Sequence, residues 1–80
     1  MSETPLRTLF KAVNSIILVK LKDGREFVGR LQSADNMMNM ILIDAVETAN
    51  NGAEKLANYG TIMVRGNNIL YVVLNKYAEM

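Results

Sequence analysis

Apolar positions near the start of the chain recur three and four residues apart, at Leu6, Leu9, Phe10 and Val13. That is the spacing of one helix face. Thr4-Pro5 just before them is a helix-start signal, because threonine caps and proline suits the first helical position. Arg7, Thr8 and Lys11 fall off the apolar face, and Asn14 is a suitable stop. The pattern predicts one short amphipathic helix that needs something to pack against. Beyond it the period changes. Residues 15–21 are rich in Ile, Leu and Val and read as a strand. Asp23-Gly24 follows, the strongest short-range hairpin signal when set between apolar runs. On the return strand Phe27, Gly29 and Leu31 share one face, and Glu26, Val28, Arg30 and Gln32 the other. A glycine inside a strand marks a sharp bend or a close backbone approach, so Gly29 predicts a strongly curved sheet.

Residues 33–43 shift from polar to almost wholly apolar without a glycine or proline. Asp35, Asn36 and Asn39 favour turns by bonding nearby backbone, which predicts a loop dropping straight into a third strand over about 37–47. Residues 48–58 read as turn-rich around Asn50-Asn51-Gly52. A fourth strand is expected over 59–64 and a fifth over 69–74, separated by the tight turn Arg65-Gly66-Asn67-Asn68; residues 75–80 read as a loose tail. Both alternating faces of 69–74 and of 40–43 are apolar, and strands of that kind are buried on both sides. One helix covers only one side. The remaining cover, or a partner for the sheet edge, is then expected from a second copy of the chain.

Composition adds to this. Eighty residues make one small domain, and half of them are hydrophobic, yet there is no Cys or His to supply a disulfide or a zinc site. Self-association is the remaining common remedy. With a formal charge of +1, an anionic partner has to be held by a local cluster rather than by the whole-molecule field. The first residues show no basic region followed by an apolar run, and no apolar stretch is long enough to span a bilayer. The expectation is a cytoplasmic protein with no signal peptide and no membrane partner.

Catalysis has few means here. Without His or Cys there is no Ser-His or Cys-His nucleophilic pair and no ordinary zinc site. Asp23, Asp35, Asp44 and Glu47 stand at turns and strand ends, where solvated carboxylates are the rule. No glycine-rich phosphate loop is present. A non-enzyme with no metal and no cofactor is expected. Binding is better supplied: the Arg65 guanidinium can stack on a base or grip phosphate, and the Asn39 amide carries the donor and acceptor needed to read a pyrimidine edge. Spacing alone leaves a second reading open, in which Arg65 is a surface charge at a turn and Asn39 a turn-stabilising amide.

A resemblance bears on that choice. Leu21-Lys22-Asp23-Gly24-Arg25-Glu26-Phe27-Val28-Gly29-Arg30-Leu31, leading to Asp35-Asn36-Met37-Met38-Asn39-Met40-Ile41-Leu42, resembles the first Sm motif. Ile62-Met63-Val64-Arg65-Gly66-Asn67-Asn68-Ile69 resembles the second. The likeness spans about residues 6–74, and the lack of long extensions is similar to archaeal Sm-like (Lsm) proteins. It implies a mainly β fold, with an N-terminal helix on a strongly bent five-stranded antiparallel sheet, an SH3-like small barrel. The whole chain, 1–80, would be a single Sm domain, with the first motif at about 15–47, a variable loop at 48–58 and the second motif at about 59–74. Rings, usually heptameric, form by joining the fourth strand of one copy to the fifth of the next, and uridine-rich single-stranded RNA binds at the pore. RNA processing or chaperoning is the implied role, with RNA-processing proteins as further partners.

By position, the resemblance has Asn39 bond the uracil edge and Arg65 stack on the ring. Asp35 would orient Asn39, and Gly66 would permit the tight turn beside the base. Met37 stands where relatives commonly have His or an aromatic residue, and Asn67 where many have Asp, so uridine binding is expected to be weaker or less selective. On the polar side of the helix, Arg7 and Lys11 would supply a second RNA contact, repeated around a ring, against the alternative of ordinary solvated helix charges. A protein-assembly scaffold with weak or lost RNA selectivity is the competing reading.

Overall fold

The computed structural model describes residues 4–74. Helix α1, Pro5–Lys11, starts as the sequence predicts: Thr4 Oγ1 accepts from the Arg7 amide at 3.2 Å, with proline in the first turn. Asn14, at φ 76°, takes the left-handed turn that ends it. The exit is fastened to the sheet, since the Asn14 amide donates to Leu31 O at 2.7 Å and the Leu31 amide to Ser15 O at 2.9 Å. The apolar face is narrower than its spacing suggests: Leu9 is buried, whereas Phe10 is exposed.

Five antiparallel strands follow: β1 Ile16–Leu21, β2 Glu26–Ala34, β3 Met40–Ala49, β4 Glu54–Val64 and β5 Ile69–Val73. Their order across the sheet is β4-β3-β2-β1-β5, so β4 and β5 are the two edges. The β1–β2 hairpin turns at Asp23-Gly24, with Gly24 at φ 100° and the Asp23 carboxylate accepting from both the amide and Nε of Arg25.

The bend predicted at Gly29 runs across three strands. A Cβ on Gly29 would lie 3.2 Å from Ala45 Cα and from Ile43 O, so β2 and β3 close on each other there. The β2–β3 register shifts between Val28 and Arg30. Asp44 bulges at φ 52°, and Gly60, paired with Ala45, sits at φ 77° in β4. Inside the curve Leu9, Ile17, Val19, Leu21, Phe27 and Leu31 pack with Met40, Leu42, Ala45 and Val64.

Two boundaries differ from expectation. β3 begins at Met40 rather than at 37, because residues 35–39 close on themselves as a loop. The turn-rich segment read at 48–58 shrinks to residues 50–53. Asn50, Asn51 and Gly52 take three successive left-handed conformations, which turns the chain abruptly. Residues 54–58 can then join the ladder, with Ala49 paired to Glu54 and Val46 to Asn58. Backbone pairing outweighs the poor β-propensity of that segment.

Glu26 differs from Arg30 and Gln32, with which it shares a face of β2 together with Val28. It is 2% exposed. Its Oε2 accepts from Thr48 Oγ1 and from the Gly52 amide, each at 2.8 Å, and Lys20 Nζ lies 3.6 Å from Oε1. Burial raises the pKa of this carboxyl, but the bonds from Thr48, Gly52 and Asn51 and the Lys20 charge outweigh it and hold the pKa below the usual glutamate value. The β3–β4 turn is thereby pinned against β1 and β2.

Exposed apolar surface collects at the edges. Leu56, Tyr59 and Met63 of β4 and Leu70 and Tyr71 of β5 are all exposed in the single chain. The second cover expected for the last strand is not provided by this chain's described residues.

Candidate nucleic-acid interface

The β2–β3 loop is built around one side chain. Asp35 Oδ1 accepts from the amides of Met37 at 2.9 Å and Asn39 at 3.0 Å, and Oδ2 accepts from Asn39 Nδ2 at 3.0 Å. Backbone bonds from Asp35 N to Asn39 O and from Met38 N to Asp35 O complete the closure. Met38, at φ 63°, supplies the left-handed step. The Asn39 amide and then the Met37 N–H keep the Asp35 carboxyl below the usual carboxylate range.

Asn39 joins this loop to the second one. Its Oδ1 accepts from the Gly66 amide at 2.8 Å. An ionised carboxylate only accepts and a backbone N–H only donates, so the orientation of the amide is dictated from both ends. Among the described residues, one N–H and one oxygen lone pair of the Asn39 side chain stay unused, a donor and an acceptor on a fixed frame.

Gly66 opens a single 3-10 turn, Gly66–Asn68. The expectation was a glycine that permits a tight turn; the structure gives a different reason. Its φ is not left-handed, but a Cβ there would collide with the Met37 carbonyl oxygen and lie 2.9 Å from its carbon. Only glycine lets the two loops touch. The turn is braced by Asn68 N donating to Arg65 O at 3.0 Å and by Lys22 N donating to Asn68 O at 2.8 Å.

Around this junction the other predicted residues stand outward. Arg65, Asn67 and Met37 are exposed, Met37 at 77%. Among the described residues nothing hydrogen-bonds or pairs with the Arg65 guanidinium. Arg7 and Lys11 are exposed on α1, outside the hydrogen-bonded junction of the loops. Thus Asp35, Met37, Asn39 and Gly66 are drawn together by direct contacts, with Arg65 and Asn67 adjacent in chain to Gly66.

Two neighbouring surfaces did not stand out in the sequence. A groove of about 220 Å³ runs beside Asp35 and Asn39, walled by Ser33, Ile41 and the exposed Met63 of β4. A second cleft, about 300 Å³, carries Arg65, Arg25, Phe27 and Tyr59. There the Arg25 guanidinium sits 5.7 Å from the centre of the Phe27 ring, and Tyr59 meets that ring edge-on at 5.4 Å. The Tyr59 hydroxyl donates to Glu47 at 2.8 Å, a bond that raises the phenol pKa. Only the register of β4 against β3 brings these groups together, and the turn-like composition of the segment before Tyr59 conceals that register. Among the described residues no three carboxylates converge into a metal site, and no helix is long and apolar enough to cross a membrane.

Comparison with known proteins agrees with this geometry. The LSM domain matches residues 7–74. The U6 snRNA-associated Sm-like protein LSm6 of Debaryomyces hansenii is 39% identical over 64 residues, which span 80% of this chain and 73% of that protein. The Pyrococcus abyssii Sm protein, solved in complex with a uridine heptamer, superposes with a TM-score of 0.80 at 36% identity, covering 91% of this chain and 100% of that one. The P. aerophilum SmAP1 heptamer gives a TM-score of 0.78 at 34% identity, covering 92% and 96%. With the family match spanning both loops, the bent sheet and the helix, the chain belongs to the LSM domain family.

Proposed function

We propose that this protein is an RNA-binding Sm-like ring that holds uridine-rich single strands at its central pore and acts in RNA processing or chaperoning. The observation that carries the reading is the Asn39–Gly66 bond. It joins two loops 27 residues apart into one reading head, with a spare donor and acceptor on Asn39 and the unheld Arg65 guanidinium next in chain to Gly66. In this reading Asn39 bonds the uracil edge, Arg65 stacks on the ring and Asp35 positions Asn39. Gly66 allows the approach, while Met37 and Asn67 flank the base. Arg7 and Lys11 form a second, sequence-independent contact.

The ring closes by pairing β4 of one copy with β5 of the next, the heptamer being favoured. The two strands that would pair are the two open edges, and they carry the exposed Leu56, Tyr59, Met63, Leu70 and Tyr71. The Pyrococcus protein's uridine complex and the P. aerophilum heptamer support the same ligand and assembly. Chain 1–80 acts as a single Sm domain, non-catalytic and cytoplasmic, with RNA-processing proteins as partners.

Light scattering with and without oligo(U), together with competition by oligo(A) and oligo(C), tests ring and ligand at once. Arg65→Ala is expected to keep the oligomer and lose at least about fivefold in oligo(U) affinity, since base stacking contributes ~1–3 kcal/mol per base. Equal binding of all three homopolymers would overturn the base-reading roles and favour the scaffold reading.

A further inference from the structure

We propose that Met37 is a redox-modifiable site at which peroxide oxidation of the thioether weakens RNA binding; the inference rests on the RNA-binding reading of the two loops. Met37 is 77% exposed, more than any other large apolar side chain among the described residues. Its backbone, however, is not loose. The amide is held by Asp35 Oδ1 at 2.9 Å, and the carbonyl is packed against Gly66 so closely that no Cβ fits between them. The side chain is therefore displayed to solvent from a fixed base, on the same Asp35-closed loop as Asn39.

Met63, 72% exposed in the single chain, is the competing thioether; it lies on the β4 edge that the proposed ring covers, and the Met37→Leu control separates the two. There is no cysteine to react first. Met40, three residues on, is 1% exposed and lies in the core, and Met38 is packed against the core cluster. Reactivity of a thioether follows its access to oxidant. The order of oxidation within the loop should thus be Met37, then Met38, with Met40 last.

The chemistry is self-contained. A sulfur lone pair attacks one oxygen of hydrogen peroxide, the O–O bond breaks, and the sulfur is oxidised by two electrons to the sulfoxide. The peroxide is reduced to water, its departing hydroxide taking the proton of the transferred hydroxyl. A flexible, polarizable, apolar group becomes a polar and chiral one. A thioether can lie on the face of a base, whereas a sulfoxide brings a hydrated oxygen that must be stripped of water to do the same. Sulfoxide reductases reverse the change, so the site would be a switch rather than a lesion.

The experiment treats the full chain with hydrogen peroxide and follows each methionine by fragment mass spectrometry, with and without bound oligo(U). Oligo(U) affinity is then measured before oxidation, after it, and after repair by sulfoxide reductase. Met37 should oxidise ahead of Met38 and Met40 and be slowed by oligo(U). Affinity should fall by about twofold to twelvefold, the range a lost sulfur–ring contact implies, and should return on repair. In Met37→Leu the ratio of oxidised to untreated affinity should stay near one, whatever its starting affinity. The proposal is overturned if Met37→Leu loses as much on oxidation as the natural chain, or if fully oxidised Met37 leaves affinity unchanged. Absence of oligo(U) preference in the untreated protein would instead overturn the RNA-binding reading itself.

Discussion

Two carboxylates, Asp35 and Glu26, do the same local chemistry in opposite surroundings. Each gathers donors from a turn that would otherwise leave backbone N–H groups unpaired. Asp35 takes the amides of Met37 and Asn39 and the Asn39 side chain, and it is exposed. Glu26 takes the Thr48 hydroxyl and the Gly52 amide and is 2% exposed. Water can replace any bond that Asp35 loses, so the loop's covalent neighbours hardly notice, but the aim of Asn39 is lost. Glu26 is nearly closed to water, so there a lost bond leaves an unsatisfied group inside the protein. The same side-chain chemistry thus sets shape where it is wet and stability where it is dry.

The largest expected effect follows from the dry side. Glu26→Ala strands the Thr48 hydroxyl and the Gly52 amide and leaves the partly exposed Lys20 to water, and each stranded donor costs about 1–3 kcal/mol. Together that is a large share of the ~5–15 kcal/mol that holds a domain of this kind. The urea midpoint at fixed protein concentration should drop sharply. Any protein that stays folded in buffer should bind oligo(U) almost as before. If Glu26→Ala left the midpoint in place, Glu26 would be as well hydrated as Asp35, and the contrast would fail.

Next comes the wet side. Asp35→Asn puts an NH₂ group where three donors converge, and one of them must turn away. The Asn39 amide is the free one to turn, since the other two belong to the backbone. Oligo(U) affinity should fall about tenfold, as expected for losing a hydrogen bond to a charged group, while the urea midpoint moves far less than in Glu26→Ala. A midpoint shift matching that of Glu26→Ala would show that the loop is structural first and a reading head second.

Much of this architecture is legible in the chain itself. Thr4-Pro5 and Asp23-Gly24 act through bonds within a few residues, so their sequence signals translate directly into the observed cap and hairpin. Gly29 is legible as a bend because a strand interior seldom gives up a side chain unless the backbone kinks or another backbone comes close. Asp35 and Asn39 are visible as turn formers, and the loop they close is local. What stays hidden depends on partners far along the chain. The Asn39–Gly66 bond spans 27 residues and the Glu26–Gly52 bond 26. No pattern at Glu26 announces a buried carboxylate; strand alternation alone puts it on the face opposite Phe27, Gly29 and Leu31. The length of β4 is concealed for the same reason, because residues 54–58 form a strand only through their pairing with β3.

Acid separates the two carboxylates with the smallest effect and the clearest sign. Both have folded pKa values held below the ordinary ones, 4.5 for Glu26 and 3.8 for Asp35. A depressed carboxylate binds its proton more readily in the unfolded chain, so its contribution is fully present above the unfolded value and lost as pH falls through the folded one. Stability should therefore be level in this respect from pH 7 down to about 5 and decline below the ordinary glutamate value. Glu26→Gln should flatten the upper part of that decline, because it removes the group whose window opens first. Asp35→Asn should leave that part intact and alter only the lower end. Urea midpoints taken between pH 6 and pH 3 on the three proteins check this. A decline that survived unchanged in Glu26→Gln would mean that the buried carboxylate is not what acid attacks first, and that its dry network gives way by some route besides protonation.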